Sequence, residues 1–102
     1  MASYVVGLDL GATWARAVLA DGEGRVLARA SQRTRRDGEG VEGQLVELVE
    51  GVLKQVPASR RGLEAIGVGA IGPLDLGRGE VVRPPNLPVE RIRVEEALEE
   101  AF

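Results

Sequence analysis

The sequence predicts an α/β fold in which a β-β-β-α-β succession, closed by a C-terminal helix, forms a mixed sheet of strand order 3-2-1-4. Three observations lead there. Residues 4–10 (YVVGLDL) are a nearly continuous apolar run, the mark of a buried central strand. Tight-turn signals divide residues 4–33 into three strand-length segments, which is the pattern of an antiparallel meander. A helical period over residues 41–56 then gives way to a strand at 63–70, so the chain crosses over and returns parallel to its first strand.

Each element has its own cause. Residues 15–20 form the second strand, and Asp21-Gly22-Glu23-Gly24 supplies a turn whose glycines accept positive φ. Residues 25–33 form the third strand, with Val26, Ala28 and Ala30 expected on one face. Residues 34–40 (TRRDGEG) read as a polar loop, and the RTRR run within it as solvated, diluted by Asp37 and Glu39. Val41, Leu45, Leu48, Val49, Val52, Leu53 and Val56 then fall on one stripe of an amphipathic helix, which Pro57 ends. Gly43 and Gly51 weaken that helix by about 1 kcal/mol each relative to alanine, so packing must hold it, and a close approach to the sheet would explain them. Residues 63–77 carry a strand into a glycine- and proline-rich loop. Val81-Val82 is a short strand, and RPPNLP is expected to be extended, because proline disfavours helix in the residue before it. Val94, Leu98 and Phe102 lie four apart on the last helix; the EEALEE run beside them reads as its solvated face.

Composition narrows the chemistry. With 44% apolar and 28% charged residues in 102, the chain is an ordinary small globular domain. It has no cysteine and no histidine. Disulfides, thiolate or imidazole metal sites, and Ser-His or Cys-His triads are therefore excluded within it, and any metal must be a hard ion held by oxygens. The net charge of −3 offers no general field for nucleic acid or an anionic membrane. No apolar stretch approaches the ~20 residues of a membrane span. The start, Met1-Ala2-Ser3, shows neither a basic segment nor an export-type apolar stretch, so a cytoplasmic setting is expected.

The informative segment is the turn after the first strand. Asp9, Gly11 and Thr13 crowd a carboxylate, a residue without Cβ and a hydroxyl into one bend. A nucleoside triphosphate needs this combination: backbone N–H groups for the phosphates, and a carboxylate to hold the water shell of a magnesium ion. An ordinary hairpin with an acid at its mouth has the same letters. No G-x-x-x-x-G-K-[ST] occurs in the chain.

The stretch LDLGATWAR resembles the D-[LIV]-G-G-T turn of actin-like sugar kinases, and GATWAR looks like the G-G-T-N-A-R form of bacterial glucokinases. A second stretch, IGVGAIGPLDLGRGEVVRPPNLP (66–88), resembles the ROK family of repressors, open reading frames and sugar kinases: Gly72-Pro73-Leu74-Asp75, Gly79-Glu80-Val81 and Pro85-Asn86-Leu87 follow in the family's order. The resemblance runs from about residue 4 to the end. It implies an actin-like (ribonuclease H-like) half-lobe, the N-terminal part of an ATP-dependent hexose kinase. By the same resemblance Gly11, Ala12 and Thr13 belong to the phosphate turn, Asp9 serves Mg2+ through water, and Gly72, Pro73 and Asn86 line the sugar side. Two positions depart from the pattern. Ala12 stands where the second glycine is usual, and Trp14 where lysine or asparagine is common, so Trp14 is expected to pack. Asp75 reads as a turn residue. The family's catalytic aspartate, in an Asn-Asp pair on the strand after the last helix, lies outside these residues, so no catalytic residue is expected in this chain and the isolated chain is expected to be inactive. Two further readings come from other classes: a ROK-type transcriptional regulator without its DNA-binding segment, and a non-catalytic self-association or split-kinase module. A strand at 63–70 lacking an outer neighbour leaves an open edge, so a homo-oligomer is expected.

Overall fold

The first strand, β1 (Tyr4–Leu10), alternates strictly: Val6, Leu8 and Leu10 are buried, while Val5, Gly7 and Asp9 face the other side and are exposed. The computed structural model describes residues 2–102. β2 (Trp14–Asp21) and β3 (Val26–Arg33) continue as antiparallel neighbours, and β4 (Leu63–Ala70) lies parallel on the other side of β1. The order is β3-β2-β1-β4, as the sequence predicts. β1 is central, yet buried on one face only, because a single helix covers the sheet there; Val5 keeps 41% of its surface.

That helix is α1 (Gly38–Gln55), capped by Asp37, whose carboxylate accepts the Gly40 N–H. Its start therefore lies inside the segment expected to be loop. The six side chains Val41, Leu45, Leu48, Val49, Val52 and Leu53 are buried against Val6, Leu8, Leu10, Ala15, Ala17 and Leu19. At about 1.5–3 kcal/mol for each, their burial outweighs the roughly 2 kcal/mol lost to two helical glycines. Neither glycine serves a close approach. A Cβ on Gly51 would meet nothing within 4 Å, and one on Gly43 only Arg35 Nη1 at 3.9 Å.

β3 departs from the expected face. The register shifts between Leu19, opposite Ala28, and Ala20, opposite Val26, so Leu27 is the extra residue of a bulge. Ala28 and Ala30 stay on the α1 side, whereas Val26 turns to the outer face and is 46% exposed.

Beyond β4, a second sheet of antiparallel strands β5 (Leu74–Asp75), β6 (Glu80–Val82) and β7 (Arg91–Ile92) leads into α2 (Val94–Ala101). Residues 83–88 are not extended. Leu87 is buried, its N–H donates to the Pro84 carbonyl at 3.3 Å, and the Arg83 N–H donates to Glu90 at 2.7 Å, closing a loop with Pro85 and Asn86 at its tip. Burial of one leucine outweighs the proline preference. α1 caps α2 at an exposed contact, where Glu42 Oε1 accepts the Arg93 N–H at 2.6 Å. Val94 and Leu98 are buried and Phe102 is 38% exposed, with the Arg60 guanidinium 5.7 Å from its ring centre. β4 ends the four-stranded sheet, and between it, β5–β6 and α2 lies an apolar groove of about 440 Å³.

Candidate functional site

The hairpin between β1 and β2 closes at Leu10–Ala15, and the Gly11 N–H donates to the Trp14 carbonyl at 3.0 Å. A Cβ on Gly11 would lie 3.1 Å from that carbonyl oxygen, so a larger residue fits only if the turn gives by a few tenths of an ångström. Gly11's own N–H is thus committed to the turn. The donors left at its tip are the Ala12 and Thr13 N–H groups, which have no hydrogen-bond partner among the described residues, and the exposed Thr13 hydroxyl. Two adjacent free amides and a hydroxyl are thus available as donors at the tip of the turn.

Thr34, just past β3, holds this turn from below. Its N–H donates to the Thr13 carbonyl at 2.9 Å and its hydroxyl to the Gly11 carbonyl at 2.7 Å, and it is only 7% exposed. Thr34 is held in turn by Gln44 of α1, buried to 1%. The Gln44 amide donates to the Arg33 carbonyl (2.7 Å) and Gln32 Oε1 (3.0 Å), and its oxygen accepts the Arg35 N–H (2.9 Å). The RTRR segment is therefore not simply a solvated loop: Thr34 is buried and Arg35 pairs with Glu47 at 2.6 Å.

Asp9, the residue before the last of β1, lies on the exposed outer face, directly opposite Arg16 of β2, with Oδ2 4.0 Å from Arg16 Nη1 and 69% of the side chain open to solvent. Trp14 does not enter the core. It is 42% exposed, with the Arg33 and Arg16 guanidinium carbons 5.4 and 6.0 Å from its ring centre. Cation–π contact thus sets two positive charges beside the turn. Among the described residues no three carboxylates gather as a metal cage, so a hard ion here would rest on one carboxylate, Asp9.

Of the residues expected on the sugar side, Gly72 and Pro73 follow Ile71, whose N–H donates to the Leu10 carbonyl at 3.1 Å, so this loop abuts the end of β1. The Gly72–Pro73 peptide is cis, and the Pro73 carbonyl accepts the Val82 N–H at 3.0 Å. β6 then leads to the loop that carries Asn86, exposed at its tip. Asp9, Gly11, Ala12 and Thr13 are thus together, with Gly72 and Pro73 one hydrogen bond away; Asn86 touches none of them through a hydrogen bond. The groove beside β4 is lined by none of these residues. Asp75, expected in a turn, ends β5 opposite Glu80 and opens the turn to β6, accepting the Arg78 N–H at 3.1 Å.

The sequence pattern of the ROK family matches residues 5–102. The chain belongs to the ROK family. A curated glucokinase of Pyrobaculum calidifontis is 43% identical over 98 residues, which is 96% of this chain and 29% of that protein. The crystal structure of a ROK family glucokinase from Streptomyces griseus, in complex with glucose and AMPPNP, superposes with a TM-score of 0.80 at 28% identity, covering 96% of this chain and 30% of that one. A xylose repressor of Caldicellulosiruptor bescii is 26% identical over 100 residues, 96% of this chain and 25% of the repressor. The chain therefore spans about three tenths of the length of the glucokinases it matches, and its fold is the actin-like α/β fold of ROK kinases.

Sequence reading missed Thr34, Gln44 and Arg16. Arg16 was legible, because a strand register that closes at Leu10–Ala15 sets position 16 opposite position 9. Thr34 and Gln44 carried no signal, since their partners are backbone carbonyls and N–H groups supplied by the fold.

Proposed function

We propose that these residues are the N-terminal part of the first lobe of an ATP-dependent hexose kinase of glucokinase type, which transfers the γ-phosphoryl group of ATP to a sugar hydroxyl. The observation that carries the reading is the turn after β1. It offers free Ala12 and Thr13 N–H groups, the Thr13 hydroxyl and the exposed Asp9 carboxylate at one spot. The 43% identity to a glucokinase, against 26% to a repressor, favours kinase over regulator.

In this reading the Ala12 and Thr13 amides receive a phosphate oxygen, and Arg16 and Arg33 raise the local positive potential. Asp9 fits a hydrated Mg2+, being an oxygen donor that is exposed and engaged only in a 4.0 Å contact with Arg16. When bound, the ion offsets charge on the triphosphate. Gly72 and Pro73 bring the sugar side against the end of β1, with Asn86 as its hydrogen-bonding residue. Among the described residues we assign no proton acceptor, so binding of Mg·ATP without turnover is the expected behaviour of the chain alone. Trp14 fluorescence titrated with Mg·ATP tests this. A saturable change that Asp9→Ala abolishes, with the far-UV spectrum intact, is expected; no change in the folded wild type refutes it.

The free edge of β4 favours a second property, association with another copy of the chain. Glu64, Asp75, Glu80, Glu95 and Glu99 line the adjoining groove, so like charges oppose the contact and association strengthens with salt. A monomer at every salt concentration by sedimentation, with protected amides along 65–70, would contradict it.

A further inference from the structure

We infer that Thr34 is the positioning residue of the phosphate turn, an assignment that rests on the reading of that turn given above. The Gly11–Ala12 peptide is trans, so its C=O and N–H point in opposite directions. With the Gly11 oxygen drawn toward β3 by the Thr34 hydroxyl at 2.7 Å, the Ala12 N–H is aimed the other way, out of the turn. The Thr34 N–H fixes the Thr13 carbonyl in the same manner at 2.9 Å. Two of the three peptide planes between Gly11 and Trp14 are thereby frozen by one residue.

This matters because Ala12 replaces the more permissive glycine of the usual pattern, and because a loose turn would have to order itself around its anion. Thr34 cannot drift, since Gln44 holds Arg33 and Arg35 on either side of it from the buried face of α1. α1 thus sets the aim of the Ala12 amide without touching the anion.

The test compares the wild type with Thr34→Val, which keeps the side-chain shape and the backbone N–H but loses the hydroxyl, and Thr34→Ser, which keeps the hydroxyl. Titration calorimetry with Mg·ATP is expected to show affinity about tenfold weaker for T34V, the usual scale of one lost hydrogen bond, and within about threefold of wild type for T34S. Nitrogen-15 relaxation is expected to show the Ala12 amide more mobile in T34V alone, with the α1 and β1 signals unmoved. Equal affinity of T34V and wild type overturns the positioning role and leaves the phosphate reading standing. Absence of binding by the wild type overturns the phosphate reading and the assignment with it. A T34V chain that fails to fold passes the decision to T34S, where a loss of tenfold or more would contradict a role carried by the hydroxyl.

Discussion

Replacing Gln44 by methionine isolates the contact on which the turn's support depends. The two side chains are similar in length and volume, so the core around a residue only 1% exposed is not emptied. Three hydrogen bonds are lost: to the Arg33 carbonyl, from the Arg35 N–H, and to Gln32 Oε1. The Gln32 side chain is on an exposed residue and can turn to water, so it contributes little. The two backbone groups are part-buried and re-solvate incompletely, at about 1–1.5 kcal/mol each. The expected loss is thus about 2–3 kcal/mol, a large share of the 5–15 kcal/mol typical of a domain. At roughly 4–8 °C per kcal/mol for a chain of this size, Tm falls by about 10–20 °C. Thermal unfolding followed by circular dichroism measures it, and amide exchange at residues 33–35 localises it. A change below about 0.5 kcal/mol, or a loss spread evenly over the sheet, would show that water replaces Gln44 and that α1 does not anchor the end of β3.

Two glycines give opposite results on the same assay. Gly51→Ala, in a helix interior with open space for a Cβ, is expected to stabilise by about 1 kcal/mol. Gly79→Ala is expected to destabilise by about 1–3 kcal/mol, because φ is +63° and a Cβ there would overlap the Glu95 side chain; Glu95→Ala would not rescue it, since the Glu95 Cβ is itself among the overlapped atoms. Acid should loosen the β2–β3 hairpin. Asp21 is held below the ordinary carboxylate range, first by the Arg25 N–H, then by the Glu23 N–H and the Arg25 charge, with partial desolvation opposing them. A lowered folded-state value means that its contribution is present at neutral pH, begins to fade near the ordinary carboxylate pKa of about 4, and is lost as pH falls through the depressed value. In Asp21→Asn the stability difference between pH 7 and pH 3 should shrink, and an unchanged difference would contradict the assignment.

How much was legible follows from where the signals lie. β4 matches residues 63–70, and the α1 stripe is buried at six of its seven positions because a long helical period writes itself into sequence. β5 and β7, at two residues each, are too short for any period and exist only through pairing with β6. Alternation puts Val26 on the wrong face, because the bulge at Leu27 breaks it without a glycine to announce it. At the site, Asp9 and the Gly-Ala-Thr bend were readable as chemistry. That Gly11 spends its N–H inside the turn, and that Trp14 stands outside under two guanidinium groups, depended on three-dimensional closure.

The bend between β1 and β2 as a seat for a triphosphate is tested most directly by an amide-resolved titration of the labelled chain with Mg·ATP. Saturable shifts centred on Ala12 and Thr13, reaching Asp9 and Gly72 and weakened when Mg2+ is chelated, are the expected result. Shifts that leave residues 9–14 unmoved and gather in the groove between β4 and α2 would contradict the account.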